Sequence, residues 1–230
     1  MVSVIIAHYN HIAELPMAVQ SILNQTYQDF EIIIINNDPG CNLWAYANID
    51  PRISVQRSFV NHNKEFALNW GIKSARGEYI AFQDADDISL PYRLELSLKY
   101  MEDYDLVYGD KITVFQNGRV RYDEARPFTN ETLWGQSIGV NSSIMIRKDK
   151  CIQFKGIGYD ADREWCARLL KKNISTYHVS LPFYYFSTYT SNYRIRQRDF
   201  PFRYYDAIRN KIRLYGLRKN ANKIVREALQ

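Results

Sequence analysis

Three carboxylates fall within four residues at Asp84-Ala85-Asp86-Asp87. Held that close they repel one another, and the arrangement is costly unless something cationic neutralises it. Two readings are open. In one, the loop is solvated and one Asp caps the helix that Pro91 opens. In the other, the carboxylates meet Mg²⁺ or Mn²⁺ together with phosphate oxygens and water, the oxygen-rich donor set these ions prefer. Two more polar clusters, Ala7-His8-Tyr9-Asn10 and Asn36-Asn37-Asp38, share a feature with the first. Each follows directly on a short, strongly apolar run.

Those runs are the elements that must position the clusters. Val2 to Ala7 and Glu31 to Ile35 read as buried strands, and Tyr79 to Phe82 as another. Ile53 to Gln56 is a further short strand. Between them, Ile12 to Leu23 has the spacing of an amphipathic helix with Pro16 in its first turn. Lys64 to Ala75 reads as a second helix, stopped at Arg76-Gly77, and a third runs from Pro91 to about Glu102. Strands alternating with helices predict a mostly parallel sheet with helices on both faces. In such sheets ligands bind outside the carboxyl ends of the strands, which is where all three polar clusters fall.

The second half is less regular. Asp105 to Gly109 is a fifth strand. Lys111 to Phe115 and Arg119 to Asp123 form a hairpin through Asn117-Gly118. Ser142 to Arg147 and Thr176 to Ser180 are strand-like, and Asp162 to Lys172 is a helix. From Arg194 onward eleven Lys and Arg face three Asp and Glu, a charge of +8 that leaves −3 on the rest. Positive charge confined to the tail argues against nucleic acid as the partner of the whole domain. The tail reads as a basic amphipathic helix pair that lies on an anionic membrane surface, packs on the domain or forms an oligomer contact. Three scattered cysteines form neither a disulfide framework nor a zinc site. With no secretory leader and no apolar run of about eighteen residues, a cytoplasmic setting is expected, at the membrane surface if the tail binds there.

Two ordered sets of residues carry a family resemblance. The first is Val2-Ser3-Val4-Ile5-Ile6, Tyr9-Asn10, and Ser21-Ile22-Leu23-x-Gln25-Thr26-Tyr27-x-Asp29-Phe30-Glu31-Ile32. The second is Asn69-x-Gly71-Ile72-x-x-Ala75-x-Gly77-Glu78-Tyr79-Ile80-Ala81-Phe82-x-Asp84-Ala85-Asp86-Asp87, followed by Pro91-x-Arg93-Leu94. Together they resemble the opening of family 2 glycosyltransferases, densely over residues 2 to 103 and weakly to about 192.

The resemblance implies a GT-A domain over 1–193, with a nucleotide-sugar-binding half (1–103) and an acceptor-binding half (104–193), followed by a helical tail (194–230). It implies an inverting transfer from a nucleoside-diphosphate sugar to a glycan or lipid-linked glycan. Uridine is the favoured base. Asp86 is expected to hold a divalent metal (Mn²⁺ or Mg²⁺) and Asp84 to contact the ribose or the metal's waters. Ala7, His8, Tyr9, Asn37, Lys64 and Ala85 are expected along the donor, with Tyr9 stacking on the base and His8 meeting base or ribose. Lys64 and Arg76 are candidates for the phosphates. The family pattern of an Asp followed six residues later by Arg, with an aromatic between, fits Asp162, Trp165 and Arg168. Asp162 is then the general base, with Asp160 and Glu164 as competitors and a helix N-cap as its ordinary alternative.

Two departures stand out. The family carries acidic residues after the second strand, where this chain has Asn36 and Asn37, whose amides accept or donate. It also carries a metal-reaching histidine near positions 186–191, where this chain has Phe-Ser-Thr-Tyr-Thr-Ser. They motivate an alternative, a relative that binds nucleotide sugars without turning them over. Trp134 and Trp165 line the acceptor cleft or fill the core. A nucleotidyltransferase would need a glycine-rich, basic phosphate loop after the first strand, which Ala7-His8-Tyr9-Asn10 is not.

Overall fold

The computed structural model describes residues 1–115, 117, 119–129, 141–155 and 161–187. The basic tail, Trp134 and Asp160 lie outside these residues. β1 (Val2–His8), β2 (Phe30–Asn36), β3 (Ile53–Arg57) and β4 (Tyr79–Asp84) form the first half of a nine-stranded sheet in the order β3-β2-β1-β4. Every ladder in this half is parallel. β-branched residues fill the central strands because both sheet faces are covered.

The alternation of side chains along β1 and β2 divides the core in two. Val2, Val4, Ile6, Ile32 and Ile34 meet α1 (Leu15–Leu23) and α3 (Arg93–Tyr100) on one face. Ile5, Ile33 and Ile35 meet α2 (Lys64–Ser74) and α4 (Ala161–Leu170) on the other. Helices therefore cover both faces, as the alternation predicts. Trp165 is fully buried on the second face, packed on Phe82 and Phe154, and its indole N–H donates to the Ile152 carbonyl at 2.7 Å. It fills the core and lines no cleft.

The sheet continues with β8 (Met145–Arg147), β6 (Leu106–Val114), β9 (Thr176–Ser187) and β5 (Ile88–Ser89), with β7 (Val120–Asp123) paired to β6. β8 runs antiparallel to both β4 and β6, whereas β6 and β9 are parallel. The expected hairpin of β6 and β7 is present. β6 and β9 are both longer than their sequence pattern indicates. A bulge at Gly109–Lys111 faces Pro182, which has no N–H to give the ladder. Gly109 is required there, since a Cβ would lie 2.5 Å from the Phe183 ring.

At the amino ends of β1 and β4, away from the acidic loop, a polar knot closes the turn from α2. Ser3 Oγ donates to Glu31 Oε1 at 2.7 Å, and the Arg76 backbone N–H and guanidinium donate to the same carboxylate. Gly77 N–H donates to Ser3 Oγ, and a Cβ on Gly77 would stand 2.7 Å from the Ser3 nitrogen. Arg76 therefore serves the fold at the end opposite the cleft and is no phosphate ligand.

Candidate active site

The register of the parallel half brings the three clusters abreast. Ala7 pairs with Asp84 and with Ile35, and His8 pairs with Asn36. At the carboxyl ends of these strands a cleft of about 500 Å³ opens. Ala7, His8, Tyr9, Asn37, Lys64, Asp84, Ala85 and Asp86 all line it. Sequence reasoning missed His11, Asn61, His62 and Asn63, which share the lining with Phe186. Asn63 carried a local signal, because it stands immediately before α2 and caps it, accepting from the Phe66 N–H at 2.8 Å.

A buried framework sets the acidic loop. Arg93 on α3 is fully buried. Its guanidinium donates to Gln83 Oε1, Ser89 Oγ and the Phe82 and Ile144 carbonyls. Burial pulls its pKa down to about 10, so it remains charged at neutral pH. Gln83 in turn donates to the Asp84 and Asp87 carbonyls. Gln25 holds the other side, donating to the Ser21 and Leu90 carbonyls and accepting from Leu94 N–H. Ser21 Oγ accepts from Ser89 N–H at 3.0 Å. Ser21, Gln25 and Arg93, so prominent in the sequence pattern, are thus the braces of the loop and not its chemistry.

Within the loop the carboxylates differ. Asp87 is buried, takes the Ser142 hydroxyl on Oδ2, and has no partner for Oδ1 among the described residues. Burial first, then Asp84 and Asp86, push its pKa well above the usual carboxylate range. It orients the loop and does not cap α3, whose first turn follows Tyr92 without a side-chain cap. Ser142, a further residue missed by sequence, also accepts from Asp84 N–H at 2.9 Å. Asp86 is half-buried at the cleft, with its pKa raised by burial and by Asp84 and restrained by His11 and Lys64. Asp84 Oδ1 lies 2.7 Å from Lys64 Nζ. Burial disfavours the Lys64 ammonium, but Asp84 and then Asp162 outweigh it and raise its pKa.

Among the described residues no group of three or more His, Cys, Asp or Glu converges as a metal cage. Asp84 and Asp86 nevertheless fit an ion of the Mg²⁺ or Mn²⁺ type. Such ions are commonly held by one or two carboxylates, with substrate phosphates and waters completing the shell.

The polar groups at the nucleotide end are largely engaged with one another. The His8 ring is buried with Nδ1 3.3 Å from Asn36 Oδ1, and burial lowers its pKa, which keeps it neutral at pH 7. Asn36 Nδ2 donates to the Cys41 carbonyl. Asn37 lines the cleft, yet its amide clamps the 61–63 loop. Nδ2 donates to the His62 carbonyl and Oδ1 accepts from His62 N–H at 3.1 Å. Tyr9 stands half-exposed at the rim, a position that leaves its ring face available for stacking.

On the far side, Asp162 lies inside the first turn of α4 and so is not its cap. It is half-buried, and its charge acts on both Lys64 and Cys166. The competitor Glu164 is held by Arg168 through an (i, i+4) ion pair. The structure thus brings a second acidic element, from the other half of the chain, within electrostatic reach of the Lys64–Asp84 pair.

Comparison with known proteins agrees with this geometry. The model of glycosyl transferase family 2 matches residues 3–175. The O-antigen biosynthesis glycosyltransferase WbnJ of Escherichia coli is 32% identical over 167 residues, 68% of this chain and 65% of the relative. An uncharacterized glycosyltransferase of Methanocaldococcus jannaschii, MJ1057, is 37% identical over 129 residues, 52% of this chain and 44% of the relative. The chain thus spans less than two thirds of the length of these relatives. Among solved structures, S. aureus TarS 1–349 in complex with UDP-GlcNAc superposes with a TM-score of 0.65 at 17% identity, covering 90% of this chain and 64% of that one. Its complex with UDP gives 0.63 at 19% identity, over 81% and 60%. The fold is the α/β GT-A arrangement, and the chain belongs to glycosyl transferase family 2.

Proposed function

We propose that this chain transfers a sugar, with inversion, from a uridine-diphosphate donor to a hydroxyl of a glycan or lipid-linked glycan. The observation that carries the proposal is the cleft at the carboxyl ends of β1, β2 and β4. There Tyr9, Lys64, Asp84 and Asp86 face one volume, with Asp162 close enough for its charge to be felt at Lys64. The likeness to a fold solved with UDP and with UDP-GlcNAc supports a uridine donor.

In this reading Tyr9 stacks on the base, and Asp86, with Asp84 beside it, would hold Mn²⁺ or Mg²⁺. A bound divalent ion offsets the charge that builds on the departing diphosphate. Asp162 accepts the proton of the acceptor hydroxyl as that oxygen bonds to the anomeric carbon. The bond from that carbon to the diphosphate breaks on the opposite side, and the nucleoside diphosphate leaves.

One observation favours a second reading. Phe186 lines the cleft in the segment where the family carries a metal-reaching histidine, which fits a relative that binds donors without turning them over. A panel of nucleotide sugars with Mn²⁺, read by thermal shift and by release of nucleoside diphosphate with glycan acceptors present, separates the two. Release with at least one pair supports transfer. Binding without release across the panel supports the second reading.

A further inference from the structure

Lys64 is placed against the ordinary preference of its position. It is the first residue of α2, where the helix dipole favours anions and disfavours an ammonium. What holds it there is acidic. Nζ stands 2.7 Å from Asp84 Oδ1, and the charges of Asp162 and Asp87 act on it as well. Carboxylates from the β4 loop and from α4 thus share one cation supplied by the chain itself. The Lys64 side chain lines the same cleft as Asp84 and Asp86.

Asp84 therefore carries a resident positive charge on one oxygen, whereas Asp86 forms no ion pair with a described residue and lies half-open to the cleft. A divalent ion seeking both carboxylates meets that charge. An ammonium and a divalent ion drawn to the same carboxylate repel each other, which weakens the hold on whichever arrives second. The donor brings a diphosphate, which offers the ammonium an alternative anion within the same cleft.

We propose that Lys64 is a built-in counter-cation that screens the acidic site from free metal. It holds Asp84 in the donor-free chain and passes to the diphosphate when donor and metal bind together. This rests on the functional reading above, because it needs a diphosphate ligand to receive the lysine. It adds an order to that reading, with the metal held weakly until the donor arrives.

The test measures Mn²⁺ binding by electron paramagnetic resonance, without donor, on the wild type and on Lys64→Met, Lys64→Gln and Lys64→Arg. Separate titrations with UDP in a chelating buffer read the diphosphate contact. The expected result is that both neutral variants bind free Mn²⁺ at least roughly tenfold more tightly than wild type, the size of the repulsion removed, bind UDP alone more weakly, and that Lys64→Arg keeps the wild-type pattern. Thermal melts identify the folded variants, and the two neutral substitutions give the test two routes should one disturb α2. Unchanged Mn²⁺ affinity in a folded neutral variant would overturn the proposal and leave Lys64 as a structural tie of α2. So would a wild type that binds Mn²⁺ as tightly without UDP as with it. Failure of every form to bind UDP, with or without Mn²⁺, would instead refute the donor reading.

Discussion

The halves on either side of residue 103 position their acidic groups in different ways. In the first, the loop Asp84–Asp87 and the turn after it are fixed by three buried polar residues, Gln25, Gln83 and Arg93, each bonded to backbone at a defined place. In the second, one buried carboxylate does comparable work at a bulge. Asp110 accepts from His178 Nε2 at 2.6 Å and Ala125 N–H at 2.7 Å, and also takes the Tyr122 hydroxyl. That knot ties β6, β7, β9 and the segment leading to residue 129 into one body. The first half builds its cleft by repetition of a parallel unit, and the second builds around a single irregular point. The comparison teaches that local sequence records the first kind of construction far better than the second.

The largest expected effect lies in the second half. Asp162→Asn is expected to lower the rate of transfer by about 10²- to 10⁴-fold, the usual contribution of a general base, while UDP-sugar affinity stays near that of the wild type. Steady-state kinetics beside calorimetric titration of the donor checks it. Normal turnover in this variant would move the base elsewhere and remove the second half from the chemistry.

Arg93→Met tests the bracing of the first half. It leaves the Gln83 and Ser89 side chains and the Phe82 and Ile144 carbonyls without their donor. A loss of about 3–5 kcal/mol is expected, because a buried charge network fails badly when one member is removed. Urea denaturation reads it. Arg93→Lys should recover only part, since an ammonium cannot reproduce the planar fork.

Asp110→Asn sharpens the contrast from the other side. It is expected to cost about 1–3 kcal/mol, the usual penalty of leaving buried donors poorly paired. Hydrogen exchange should rise over 120–128 and stay low in β1, β2 and β4. Uniform acceleration across the sheet would mean that the halves do not open separately.

The elements of the first half were largely legible because each strand and helix there is a local pattern with its partner next in sequence. The errors are at the ends. α1 begins at Leu15 and not at Ile12, because Pro16 has no N–H to give the Ile12 carbonyl and so interrupts the helical ladder there. α3 begins at Arg93 and not at Pro91, whose carbonyl accepts from Thr26 N–H. The two-residue β5 was invisible because it pairs with Tyr184 and Tyr185, almost a hundred residues on. β9 read as ending at Ser180 because Leu181-Pro182 breaks the pattern, although the bulge opposite Asp110 accommodates the proline. Among site residues, the strand-end clusters were found because strand ends are readable. Ser142, Asn61 and His62 were not, because what places them at the cleft is tertiary, whereas His11 and Asn63 stand at the β1 end and the α2 cap, where local signals exist.

The smallest expected effect is the acid response of the knot at the amino ends of the strands. Burial alone would raise the Glu31 pKa, but Ser3 and Arg76 overcome it and hold it below its ordinary value of 4.5. The stability this supplies is complete above the unfolded value and is lost as pH falls through the folded one. Glu31→Gln should therefore flatten the decline in stability below about pH 4.5, seen as melting temperature against pH. A decline as steep as that of the wild type would place the acid-sensitive carboxylate elsewhere.

The central claim is that the cleft holds a nucleoside diphosphate through the acidic loop. Calorimetric titration of UDP in the presence of Mn²⁺, on the wild type and on Asp86→Ala, tests it most directly. Saturable binding to the wild type is expected, and at least roughly tenfold weaker binding to the variant, as when a charged contact worth about 1.5–3 kcal/mol is removed. Equal affinity in the two proteins would contradict it.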